Sequence, residues 1–161
     1  MTEAETREYL AEVFRDDLDS HPLLSNNSKW INFVNVRNDH WHHANIVLLG
    51  DALHTAHFSI GSGTKLALED SIALYKCFQS TANVKEALRE FERVRKPVIE
   101  EYQEAAYESL IWFENAKNYM HLDPLPFAYS LMTRSKRIDC ESLKRRDPEF
   151  VASYEKLKIK N

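Results

Sequence analysis

Glycine appears only three times in 161 residues, and Gly50, Gly61 and Gly63 all fall within one fourteen-residue stretch. An average chain carries glycine at about 7%, three or four times as often. Glycine lets a backbone turn through positive φ and lets another group approach the main chain closely. The stretch GDALHTAHFSIGSGTK, residues 50–65, is therefore where this chain turns most sharply and is most open to a neighbour. The apolar run ANIVLLG leads into it, and a helical pattern leaves it.

Around that stretch the pattern is mostly helical. Thr2 and Glu5 form a capping box, and Tyr9, Val13, Phe14 and Leu18 follow at helical spacing. The turn-rich SHPLLSNNS ends that helix. KWINFVNVRN alternates like a half-buried strand, with Ile31, Phe33 and Val34 or Val36 at the apolar positions. HWHH is expected to be a hairpin connection, and ANIVLLG a strand buried on both faces. A helix is predicted from about Thr64 to Gln79 on Leu66, Ala67, Ile72, Ala73, Tyr75 and Phe78.

A second, long helix starts near Val84. Its stripe is Leu88, Phe91, Val94, Val98, Tyr102, Ala105, Ala106, Leu110 and Phe113, with a kink expected at Pro97. Asp123-Pro124 and Asp147-Pro148 each place an N-cap before a first-turn proline. About 60% helix with two or three strands is expected, well above the usual third. The fold class is thus an α+β fragment of an α/β fold, one unit over 1–161 with 120–161 as its helical extension. A strand buried on both faces needs neighbours on both sides. The chain is therefore expected to be part of a larger fold, and to self-associate on its own.

Composition narrows the function. A net charge of −4 gives no general attraction to nucleic acid or to anionic membranes. Cys77 and Cys140 are too few for a disulfide framework, which fits the cytoplasm. No apolar run has transmembrane length, and MTEAETREYL has the pattern of a helix start rather than a leader. The basic clusters Arg134–Lys136–Arg137 and Lys144–Arg145–Arg146 have the spacing of a solvated helix face.

Asp51 stands just past the end of an expected strand, where open α/β sheets bind ligands, and its carboxylate can accept from sugar or polyol hydroxyls. Gly61 and Gly63 open the main chain to a flat or anionic group, toward which the next helix points its free N–H groups. Two nucleotide motifs fail here. The phosphate-binding loop needs Gly-Lys-Ser/Thr, whereas the order is Gly63-Thr64-Lys65 and Phe58 stands at its first glycine position. The dinucleotide fingerprint needs a glycine where Leu66 stands.

A third motif fits. GDALHTAHFSIGSGTKLALEDSIAL closely resembles, without a gap, the flavin-binding Gly-Asp motif of class A FAD-dependent aromatic hydroxylases. Phe58 stands where many of these have proline. SNNSKWINF, HFSIGSGTKLALED, SLIWFEN and FAYSLMTRSKRI are similar to the branch acting on aryl-CoA thioesters, the salicylyl-CoA and 2-aminobenzoyl-CoA hydroxylases. Tryptophan- or indole-type hydroxylases share the HFSIG stretch.

The resemblance implies FAD as cofactor, NAD(P)H as electron donor, O2 as oxidant and an aromatic, CoA-linked substrate. It assigns cofactor contact to Gly50, Asp51, Ile60, Gly61, Ser62, Gly63 and Thr64, with Asp51 on the ribityl chain. The Gly61–Thr64 amides would lie under the N1/C2=O edge of the ring. It places His54, His57 and Phe58 near the flavin, with His57 and Phe58 shaping the substrate pocket. It also implies an N-terminal half with the ADP-binding Gly-x-Gly-x-x-Gly segment, which these residues lack, so the isolated chain is expected to be inactive.

Plainer alternatives stand beside these. Five of seven histidines lie between His40 and His57, but no cysteine pair or His-Glu-x-x-His helix supports a metal site, and none is expected. Glu69 and Asp70 are expected on a solvated helix face. Trp112, Phe113 and Tyr119 are expected in the core or at a domain contact. A non-catalytic helical interaction module that keeps the motif is the alternative from another class.

Overall fold

A computed structural model describes residues 1–160 of the chain. They form two compact units, Met1–Phe33 and a second from Val34 onward. In the first, α1 (Glu3–Val13) is followed by the single turn α2 (Arg15–Leu18). The expected capping box is present: Thr2 N donates to Glu5 Oε2 at 2.7 Å and Glu5 N to Thr2 Oγ1 at 3.3 Å. The amides of Ser28 and Asn26 donate to the Glu3 carboxylate and hold its pKa below the ordinary value.

In the second unit, β1 (His42–His43) pairs antiparallel with β2 (Ile46–Val47). HWHH is thus not the connection. Its last two residues are the first strand, and Ala44-Asn45 makes the turn. A two-residue hairpin turn needs positive φ at its first central position, and Ala44 supplies it at +52°. ANIVLLG is not a strand buried on both faces. Only Ile46 and Val47 are strand, and Ile46 is 66% exposed. KWINFVNVRN forms no strand either, and Trp30, Ile31 and Val34 are exposed. A strand persists only with a partner ladder, and the described residues supply none there. Val36 bonds to a loop residue instead: Thr55 N donates to its carbonyl at 3.1 Å, and its own amide to Thr55 Oγ1 at 2.7 Å.

Helical turns make up 64% of the structure. The mostly helical α+β class therefore holds, with a two-stranded sheet. The helix α3 spans Gly63–Ser80 and α4 spans Val84–Glu114, continuing through Pro97. Asn83 Oδ1 caps α4 by accepting from the amides of Lys85 and Glu86. The two helices pack together around Leu66 and Cys77 from α3 and Phe91, Ile99 and Ala106 from α4, closed by Trp41, Leu53 and Ala56. Past Val94 the buried face of α4 departs from the expected stripe. It runs through Arg95, Ile99, Gln103 and Ser109, while Val98 is only half-buried. These polar residues are buried because they serve charged groups of α3 and main-chain and side-chain groups of the other segments packed on α4. Gln103 Nε2, for one, donates to the carbonyls of Val36 and Thr55 at 2.9 and 2.8 Å.

Beyond α4 come α5 (Pro124–Thr133), α6 (Cys140–Arg146) and α7 (Pro148–Lys160), and both Asp-Pro pairs start helices as expected. Trp112 is core: it stacks on Tyr119 at 5.0 Å and donates to Ser130 Oγ at 2.8 Å. No helix among the described residues is long and apolar enough to cross a membrane.

Candidate functional site

The glycine stretch wraps the start of α3. Gly50 adopts φ +58° and opens a 3-10 turn, Gly50–Ala52, in which the amides of Leu53 and His54 both donate to its carbonyl. A Cβ there would meet only Ala67 Cβ at 3.7 Å, an ordinary contact. Gly50→Ala should therefore cost about 1–2 kcal/mol through the backbone alone. A urea titration checks this, and an unchanged midpoint would refute it. Asp51 sits on this turn, exposed, with no hydrogen bond or ion pair among the described residues.

A second 3-10 turn, Phe58–Ile60, ends at Gly61 with φ +62°. Ile60 packs on the core and Ser62 is buried. Ser62 precedes α3 but does not cap it, since its hydroxyl donates to Ile60 O at 3.2 Å. The first amide bonded within the helix is that of Leu66, to Ser62 O. The amides of Gly63, Thr64 and Lys65 are thus left to an outside acceptor, at the positive end of an eighteen-residue helix. A Cβ on Gly61 or Gly63 would meet nothing within 4 Å. The hydroxyl of Ser59 is buried without a partner. Free amide donors, open space above the glycines and an unused carboxylate acceptor on Asp51 fit a flat ring with an electron-rich edge joined to a polyol.

The loop is anchored from beneath by charge. His54 Nε2 lies 2.6 Å from Asp70 Oδ2, and Arg95 Nε donates to Asp70 Oδ1 at 2.8 Å. All three side chains are buried, Asp70 completely. The expectation that Asp70 lies on a solvated face is corrected. It stands four residues after Leu66 and seven before Cys77, on the core face of α3, and that phase is the signal that marks it. Glu69 is half-buried and links Arg95, at 3.4 Å, to Lys65, at 2.6 Å. Lys65 Nζ donates to Tyr102 Oη at 3.0 Å and holds that hydroxyl below its ordinary pKa.

His54 thus faces the core. His57 caps the second 3-10 turn by accepting from Ser59 N at 3.3 Å, and its ring lies 4.3 Å from that of Phe58, which is 72% exposed. Gly50, Asp51, His57, Phe58, Ile60, Gly61 and Ser62 lie on the segment that leads into α3, and Gly63 and Thr64 are the first two residues of that helix. Sequence reasoning missed Asp70 and Arg95. Among the described residues no group of three or more His, Cys, Asp or Glu is placed to hold a metal ion.

Comparison with known proteins gives a consistent setting. The family model for squalene epoxidase matches residues 6–121. The chain is 43% identical over 154 residues to salicyloyl-CoA 5-hydroxylase of a Streptomyces species, covering 94% of this chain and 29% of that protein. It is 37% identical over 139 residues to protodeoxyviolaceinate monooxygenase of Chromobacterium violaceum, covering 86% and 37%. A third relative is 3-hydroxy-4-methyl-anthranilyl-(aryl-carrier protein) 5-monooxygenase of Streptosporangium sibiricum, 43% identical over 104 residues, 65% of this chain and 30% of that one. The chain therefore spans only about a third of the length of these relatives.

Proposed function

The chain belongs to the squalene epoxidase family and is related to FAD-dependent monooxygenases, and from that premise we propose that it forms the ring-facing part of a flavin site. That site would serve hydroxylation or epoxidation of an aromatic substrate with NAD(P)H and O2. The observation that carries this is the uncapped α3 N-terminus, with free amides at Gly63, Thr64 and Lys65 and open space over Gly61 and Gly63. When bound, FAD supplies the redox chemistry between NAD(P)H and O2. The residues of this chain bind and orient it. Asp51 would accept from the ribityl hydroxyls, and the α3 amides would offer fixed dipoles to negative charge developing on the ring. Phe58 and His57 border the substrate.

We infer an aryl thioester of CoA as substrate. The match to the salicyloyl-CoA enzyme supports this, since it covers nearly the whole chain. An indole- or tryptophan-type ring is the second reading, and the chain also matches protodeoxyviolaceinate monooxygenase over 86% of its length. The ADP half of FAD would be held by an N-terminal portion that these residues do not include, so the function belongs to the assembled protein.

FAD titrated into the 161-residue chain, followed on backbone amide resonances, tests the site. Weak, rapidly exchanging shifts at residues 50–54 and 61–65 are expected, with no FAD retained through purification. Shifts confined to other residues, or none, would refute it. Gly63→Ala sharpens the test. Its φ is unstrained, so the fold should be as stable or slightly more so, while the methyl intrudes on the amides and should abolish the shifts.

A further inference from the structure

The proposed flavin site leaves the stretch FAYSLMTRSKRI, residues 127–138, without a role. This stretch lies past residue 121, where the family model ends, yet most of the segment beyond 121 is shared with the Streptomyces hydroxylase. Within it, Arg134 follows the last turn of α5 and reaches back 75 residues to the glycine loop. Its Nη2 donates to Ser59 O at 2.9 Å, Nε to the buried Ser109 Oγ on α4 at 2.9 Å, and Nη1 to Leu131 O at 2.6 Å. Its guanidinium carbon stands 5.1 Å from the centroid of the Phe113 ring. All these partners are neutral, and no carboxylate pairs with Arg134 among the described residues. A planar fork can hold three acceptors at fixed angles, which a single ammonium cannot.

The bond to Ser59 fixes the turn immediately ahead of Gly61. Past the loop, Lys65 is held through Tyr102, on whose ring Arg137 stacks at 3.9 Å. The same C-terminal stretch therefore grips the loop on either side of Gly61 and Gly63 in sequence.

We propose that Arg134 is a positioning residue for the cofactor loop, holding residues 59–65 so that the amides of Gly63, Thr64 and Lys65 stay presented to the flavin. This rests on the FAD reading above. The test is amide hydrogen exchange together with the FAD titration on the 161-residue chain, comparing wild type with Arg134→Ala, Arg134→Lys and the control Lys136→Ala. Loss of a charge-assisted bond should speed exchange about tenfold or more at the bonded loop amides of Ser59, Gly61 and Leu66, and weaken FAD-induced shifts by a similar factor. Exchange in the middle of α3 and in α7 should stay unchanged. Arg134→Lys should resemble Arg134→Ala, and Lys136→Ala should resemble wild type.

Should Arg134→Ala fail to fold, Ser109→Ala removes one acceptor and should give a smaller rise confined to the same loop. Unchanged loop exchange, unchanged FAD affinity, or a rise spread evenly over α3 and α4 overturns the positioning role. Absence of any FAD-induced shift in the wild type overturns the FAD reading itself, and is seen before any variant is made.

Discussion

Asp70→Ala is expected to lower the thermal unfolding midpoint by roughly 10–20 °C, the equivalent of about 3–5 kcal/mol for a chain of this size. Asp70 is fully buried and accepts from both Arg95 and His54. Removing the carboxylate leaves the buried Arg95 guanidinium with only the longer contact to Glu69 at 3.4 Å, and that cost exceeds the loss of any surface pair. Calorimetry on the isolated chain decides the matter. The double variant Asp70→Leu/Arg95→Met should recover part of the loss, because it removes the stranded charge, while buried His54 still loses its Asp70 partner. A midpoint within about 2 °C of wild type for Asp70→Ala, on the order of half a kcal/mol, would show that the pair carries no stability.

Asp51→Ala should do the opposite: nothing to the fold and a great deal to the cofactor. The side chain is exposed and bonded to nothing described, so unfolding should be unaltered. In a complete flavoenzyme carrying this segment, loss of a charge-assisted bond worth roughly 1.5–3 kcal/mol should weaken FAD about tenfold to a hundredfold. Phe58→Ala should spare FAD and weaken aryl-CoA binding, since an exposed ring has surface to offer a substrate but no acceptor for a ribityl chain. It should also raise NAD(P)H oxidation that yields no hydroxylated product, because a mobile substrate ring is rarely in line for reaction. Titrating FAD into apoenzyme and aryl-CoA into holoenzyme separates the two. Unchanged FAD affinity in Asp51→Ala, with FAD lost in Phe58→Ala, would misplace the flavin along the loop.

What the sequence discloses depends on how local the cause is. The Thr2 capping box, the helix start near Val84, the Asp-Pro starts, α3 and the glycine loop rest on neighbours within a few residues, and all were legible. The strands were not. Alternation in KWINFVNVRN and the apolar run in ANIVLLG state a preference that only a partner ladder makes real. Asp70 and Arg95 hid for a related reason. Each is charged in a charged neighbourhood, and only the phase of its helix, taken with a partner 25 residues away, shows that it turns inward. Arg134 is harder still, since nothing near it in sequence announces a carbonyl 75 residues back.

One helix collects nearly all these long-range ties. Along α4, Glu92 accepts from Trp41 N, Arg95 holds Asp70, Lys96 donates to Asp39 O, Gln103 holds Val36 and Thr55, and Ser109 receives Arg134. From Glu92 to Ser109 is about 26 Å of helix at 1.5 Å per residue. The irregular segments on either side have little ladder of their own, so none has a private melting transition. They come apart as a group when α4 does, and the site they build inherits the cooperativity of a single rod.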